Sequence, residues 1–148
     1  MRHRHVSTTL QAYVSFLDSE TPVPEEIPEE GPPPGRQLAQ VLATSAQVQG
    51  LELTHPVSQW EGYGWEFTVG TGARSVWCML QASDAWLLIT QVRRTWLEKL
   101  RGSEFPEAHR PVLAALEAIL RSGTRWSSVH WYTPEEWLRT GAEKSDGD

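Results

Sequence analysis

The sequence predicts an α+β fold, a curved antiparallel sheet of four to five strands with helices packed mainly on one face. Three observations carry this expectation. Strand-like segments follow one another between Leu51 and Val92 with short polar turns between them, and an apolar stripe at helical spacing comes only afterwards, from Val112 to Leu120. The chain has 148 residues, 39% of them apolar and 22% charged, which suits one core and leaves no room for two. Strands in a run, followed by a helix, argue against an alternating parallel α/β sheet.

The elements follow in chain order. Over residues 1–17 a short N-terminal helix is expected, because Leu10, Tyr13, Val14 and Leu17 recur at i, i+3, i+4 and i+7. It would dock on the main body. Residues 18–35 read as an acidic, proline-rich linker. This stretch holds six acids and six prolines and no basic residue, so it should be extended and solvated. Its acids equal the whole formal net charge of −6, and the rest of the chain is close to neutral. A polyproline ligand at Pro32-Pro33-Pro34 is the sharper reading of this stretch, but no flanking specificity residues accompany it. Residues 36–141 then form the single α+β domain, and 142–148 a loose polar tail.

Within that domain, Arg36 to Ala46 reads as a helix with Leu38, Val41, Leu42 and Ser45 on one side and Gly50 as its stop. A short strand near Leu51 to His55 would pair at an edge. Trp65, Phe67 and Val69 alternate with Glu66 and Thr68, as in a half-buried strand, and Gly70-Thr71-Gly72 permits a tight reversal. From Arg74 to Gln81, Val76, Cys78 and Leu80 oppose Trp77 and Met79, so this strand should be central and at least partly covered on both faces. Ala82-Ser83-Asp84 turns the chain into a third apolar strand, Ala85 to Val92. Arg93 to Phe105 contains a helical turn with Trp96, Leu97 and Leu100.

The most secure element is the helix started by Pro106 or Pro111. Val112, Leu113, Leu116, Ile119 and Leu120 line one stripe, with Gly123 as its left-handed cap. Trp126 to Tyr132 returns as a strand, with Trp126, Ser128, His130 and Tyr132 opposed to Ser127, Val129 and Trp131. Thr133-Pro134-Glu135-Glu136 then starts a last short helix carrying Trp137 and Leu138.

Composition excludes several functions. No apolar run approaches the roughly 18–20 residues that span a bilayer. The basic start, Met-Arg-His-Arg-His, is followed by no apolar stretch of the kind a secretory leader needs. The lone Cys78 cannot make an internal disulfide, and a cytoplasmic location is expected. The net negative charge argues against nucleic acid as a partner. Neither a cofactor nor a metal is expected, since His3 and His5 have no second ligand pair to complete a site.

Eight tryptophans are the unusual feature. Most should thicken a small core, but Trp60, Tyr63 and Trp65 stand among glycines that leave ring faces open, and they form the candidate binding platform. For catalysis the weak candidates are His130 and Cys78. A cysteine between Trp77 and Met79 reads first as a small core residue, and His130 as a histidine bonded beside the sheet. No dinucleotide fingerprint, phosphate loop, nucleophile elbow or zincin helix occurs.

The closing segment, Ala118-Ile119-Leu120 through Gly123 and then Ser128-Val129-His130-Trp131-Tyr132-Thr133-Pro134-Glu135-Glu136-Trp137, resembles small uncharacterised bacterial proteins, over about the last third of the chain. Some of those are of immunity or accessory type, and the resemblance implies an interaction role. The expectation is therefore a non-enzymatic module that binds another protein. A carbohydrate-binding domain using the aromatic platform is the alternative, and a hydrolase using His130 or Cys78 the weaker one.

Overall fold

The computed structural model describes residues 9–71, 74–93 and 109–133. Six strands and two helices occur among them. They are β1 (Thr9–Asp18), α1 (Arg36–Val48), β2 (Glu52–Trp60), β3 (Gly64–Thr71), β4 (Arg74–Ala82), β5 (Trp86–Arg93), α2 (His109–Arg121) and β6 (Trp126–Tyr132). All strands belong to one antiparallel sheet in the order β2-β3-β4-β5-β1-β6. The α+β class and the antiparallel meander match the expectation, and the sheet is larger than the four to five strands expected.

The additional strand is the segment expected to be an N-terminal helix. Residues 9–18 form β1, seated between β5 and β6. Ala12, Val14 and Phe16 point to the core, while Tyr13, Ser15 and Leu17 face the other way. The helical spacing does not make a single face in the strand, because Val14 lies on the core face and Tyr13 and Leu17 on the other. A segment rich in aromatic and β-branched side chains fits a pleated surface better than a helix. The folded body thus begins well before residue 36, and it encloses the acidic stretch as a tethered loop.

That loop departs from a free, solvated linker at both ends. The Trp86 indole N–H donates to the Thr21 carbonyl at 2.8 Å, and Trp65 donates to the Pro33 carbonyl at 2.8 Å. Pro33 is buried, while Glu25, Glu26, Glu29 and Glu30 remain exposed. At the loop's start, the Asp18 carboxylate accepts two hydrogen bonds from Arg125 at 2.8 and 2.9 Å. Burial pushes the Asp18 carboxyl up. The bonds from Arg125, the Glu20 backbone and Thr21, with the Arg125 charge, outweigh it and hold the group below its usual range.

Both helices cover the same side of the sheet. From α1, Leu38, Ala39, Leu42, Ala43 and Ala46 are buried, and from α2, Val112, Ala115, Leu116, Ile119 and Leu120. They meet Val14, Phe16, Phe67, Val76, Cys78, Leu80 and Leu88 of the strands. Helix α1 ends at Gly50, whose φ of +96° suits a left-handed cap, and the Leu51 N–H reaches back to the Ala46 carbonyl at 3.0 Å. Inside this core His109 and Thr90 are both fully buried. The Thr90 hydroxyl lies 3.0 Å from the Ala12 carbonyl and 2.8 Å from His109 Nε2. The hydroxyl's single proton goes to the carbonyl, so Nε2–H is the donor to Thr90 and the ring is neutral. Burial lowers the His109 pKa to about 4, in keeping with that form.

The outer strands are irregular. In β2 the pairing slips on either side of His55, and Pro56 sits where an edge strand tolerates a missing donor. In β6 the register shifts opposite Phe16, with Ser128 at a φ of +52°. This bulge changes the parity expected for the strand, so that Trp126 shares the core side with Val129 and Trp131. The helical turn expected over 93–105 and the last helix from Thr133 lie outside the described residues apart from Arg93 and Thr133, and the tail 142–148 lies wholly outside them.

Candidate functional site

The three members of the expected platform do not share a surface. Trp65 points into the helix-covered side, is 8% exposed, and lies beneath the Arg36 guanidinium at 5.7 Å from its ring centroid. Strand alternation explains the separation. Gln59 pairs with Trp65, so Trp60, one residue on, faces the side without the helices. Tyr63 is in the turn between β2 and β3 and is 61% exposed.

A different partner replaces Trp65. Trp77 of β4, on the same outer side, has its ring centroid 5.7 Å from that of Trp60 at an interplanar angle of 65°. Tyr63 packs 5.6 Å from Trp60 at 40°. The intervening strand β3 contributes Glu66, whose Oε2 accepts the Trp77 indole N–H at 2.9 Å. Ser58 on β2 lies 3.5 Å from the other carboxylate oxygen. The result is an aromatic corner spanning three strands, with a half-buried carboxylate at its base.

Gly64, the partner of Trp60 in the sheet, starts β3. A Cβ there would lie 2.1 Å from the Leu80 carbonyl oxygen and 2.7 Å from Met79 Sδ, so only a glycine lets β3 start so close to β4. The turn that precedes it is closed by the Tyr63 N–H on the Trp60 carbonyl at 3.2 Å, with Glu61 at a φ of +49°.

The catalytic candidates are kept apart. Cys78 is fully buried on the helix side of β4, and burial pushes its thiol up to about 12, so no thiolate forms at neutral pH. His130 lies exposed on the edge strand β6, across from Ser15 on the outer side, with its ring 6.4 Å from Tyr132. Strands β5 and β1 stand between the two, which face opposite sides of the sheet. His55 Nδ1 is 2.9 Å from the Pro56 carbonyl at the other edge. No nucleophile and base meet among these residues. Among the described residues, no three His, Cys, Asp or Glu side chains group in a way that could hold a metal ion. No described helix is long and apolar enough to cross a membrane.

Two shallow cavities lie elsewhere. One, about 330 Å³, runs between α1 and the α2–β6 junction past Val48, Ile119 and Trp126. The other, about 540 Å³, lies where Pro33 and Arg36 meet Gln59 and Trp65. Neither brings titratable groups into a reacting arrangement.

Sequence reasoning missed Trp77 as a surface residue. Its signal was present in the apolar residues on both faces of β4, but its meeting with Trp60 crosses an intervening strand and has no local trace. Compared with known proteins, the chain matches no family model and no curated protein.

Proposed function

We propose that this protein is a non-enzymatic binding module that docks another protein on the outer face of β2, β3 and β4, with Trp60, Tyr63 and Trp77 as the anchors. The observation that carries this reading is the mutual tilt of the three rings on the side of the sheet that α1 and α2 leave uncovered. Large, rigid aromatic side chains held by their neighbours lose little freedom on binding, and for that reason dominate interface energies. A sugar ring stacks on a flat, parallel aromatic face, and rings inclined at 40° and 65° do not provide a shared one.

The test is photo-crosslinking. A benzophenone side chain in place of Tyr63 should capture one discrete protein from an extract of the source cells, and Trp60→Ala should reduce its yield at least tenfold. The same probe in place of Val48, exposed on the helix side, should not give that adduct. An adduct whose yield is indifferent to Trp60→Ala removes the basis of the reading. Glycan-array binding abolished by the same substitution would replace the protein partner with a sugar.

A further inference from the structure

We infer that the corner formed by Trp60, Trp77 and Glu66 is a subsite for an organic cation, and that it takes an arginine side chain of the docked partner. The inference rests on the docking reading above and adds the chemistry of the contact. Its argument begins with a site the chain has already filled from its own sequence. On the helix side, the Arg125 guanidinium lies over the Trp126 ring at 4.7 Å from the centroid and bonds the Asp18 carboxylate at 2.8 and 2.9 Å. Indole face, carboxylate and guanidinium form a three-part unit there. Arg36 over Trp65 repeats the cation–indole half of it.

The outer corner holds two of the same three parts. Trp60 and Trp77, both half-buried, supply indole rings that meet edge to face, and Glu66 supplies the carboxylate. Indole attracts cations more strongly than the other aromatic rings, and a guanidinium can lie flat on the ring while its N–H groups reach a carboxylate. Glu66 makes no ion pair among the described residues, whose carboxylate pairings involve Glu117, Asp18 and Glu20. Its Oε2 is engaged by Trp77, while Oε1 has only the long contact to Ser58, which leaves acceptor sites for a forked donor. Half-burial of the carboxylate excludes part of the water that would screen it. Glu61 in the adjoining turn adds a second negative charge. The carboxylates and the affinity of indole for cations therefore favour a cation over a neutral apolar anchor.

The probe is acetyl-arginine methylamide, with acetyl-citrulline methylamide as its uncharged counterpart of nearly the same shape. They are titrated into the 15N-labelled full chain while the indole N–H resonances are followed. The arginine compound should shift Trp60 and Trp77 saturably and leave Trp126 unmoved, and citrulline should bind at least tenfold more weakly. Glu66→Gln should weaken the arginine compound about tenfold. Its amide oxygen still accepts from Trp77, and an unchanged urea midpoint confirms the fold. Equal shifts from both compounds, or undiminished arginine binding to Glu66→Gln, overturn the inference. A Tyr63 adduct lost in Trp60→Ala but retained in Glu66→Gln overturns it too, while the docking reading stands. Arginine-specific shifts without any adduct support the subsite and remove only the docking reading.

Discussion

The two sides of the sheet use the same residue type to different ends. Trp65 and Trp86, on the helix side, are 8% and 1% exposed, and each donates its indole N–H to a main-chain carbonyl of the acidic loop. Trp60 and Trp77, on the outer side, pack on each other and on Tyr63, and the Trp77 N–H goes to a side-chain carboxylate. An indole bonded to backbone holds the chain together, since that acceptor is fixed by the fold. An indole bonded to an accessible carboxylate leaves both groups able to engage something else. The partner of the N–H does not by itself separate the two groups, since Trp131, packed against the helix-side core, also donates to a carboxylate, that of Glu117; burial and partner do so together.

The contrast breaks most visibly under truncation. Trp86→Ala should cost about 3–5 kcal/mol through the cavity it leaves and should free the Thr21 end of the loop. Trp60→Ala should cost about 1 kcal/mol, as expected for a surface side chain that keeps some contacts. Urea unfolding of the two variants measures both. Equal losses would show that the outer rings are structural after all.

Acid sharpens the same comparison, because a buried group that titrates in mild acid belongs to the helix side. Burial holds the folded His109 pKa at about 4, against 6.5 for a free histidine side chain. Between those values the unfolded chain holds the extra proton. Stability is therefore full above about pH 6.5 and declines as the pH falls toward 4, by about 3 kcal/mol at most. Asp18, whose pKa is lowered, adds its own loss only as the pH falls through the ordinary carboxylate range. Urea midpoints at pH 7 and pH 4.5 should differ, and His109→Gln should shrink the difference. A slope unchanged in that variant would place its origin elsewhere.

The smallest effect belongs to the turn below the aromatic corner. Glu61 occupies a left-handed conformation at φ +49°, which costs a side-chain-bearing residue about 1 kcal/mol. Glu61→Gly should raise the thermal midpoint slightly, the gain being reduced by the added freedom of the unfolded chain. A lowered midpoint would mean that the Glu61 side chain contributes more than its strain costs.

What was legible in the sequence follows from range. The β3–β5 meander and α2 are specified by neighbours within a dozen residues, namely alternation, turn residues and a 3.6-residue stripe, and these elements stand where the sequence placed them. The N-terminal strand was not legible, because Leu10, Tyr13, Val14 and Leu17 fit a helical stripe and the deciding partners, in β5 and β6, are distant in sequence. In β6 a single bulge at Ser128 undid a correct strand with the wrong facing. Of the candidate site, Trp60 is half-buried on the outer side of the sheet and Tyr63 is exposed in the adjoining turn. Trp65 was assigned to them by proximity, although an odd step along a strand reverses the side it faces.

The place of β1 has a consequence for how the molecule is made. The ribosome delivers Thr9–Asp18 early, yet the strands on either side of it, β5 and β6, emerge late. During synthesis this ribbon has two unpaired borders and must wait until β5 and β6 have been made. Such long-range pairing is slow, and an unpaired border is what neighbouring nascent chains can stick to. A cell producing this protein would gain from holding that opening ribbon apart until Trp126–Tyr132 has left the exit tunnel.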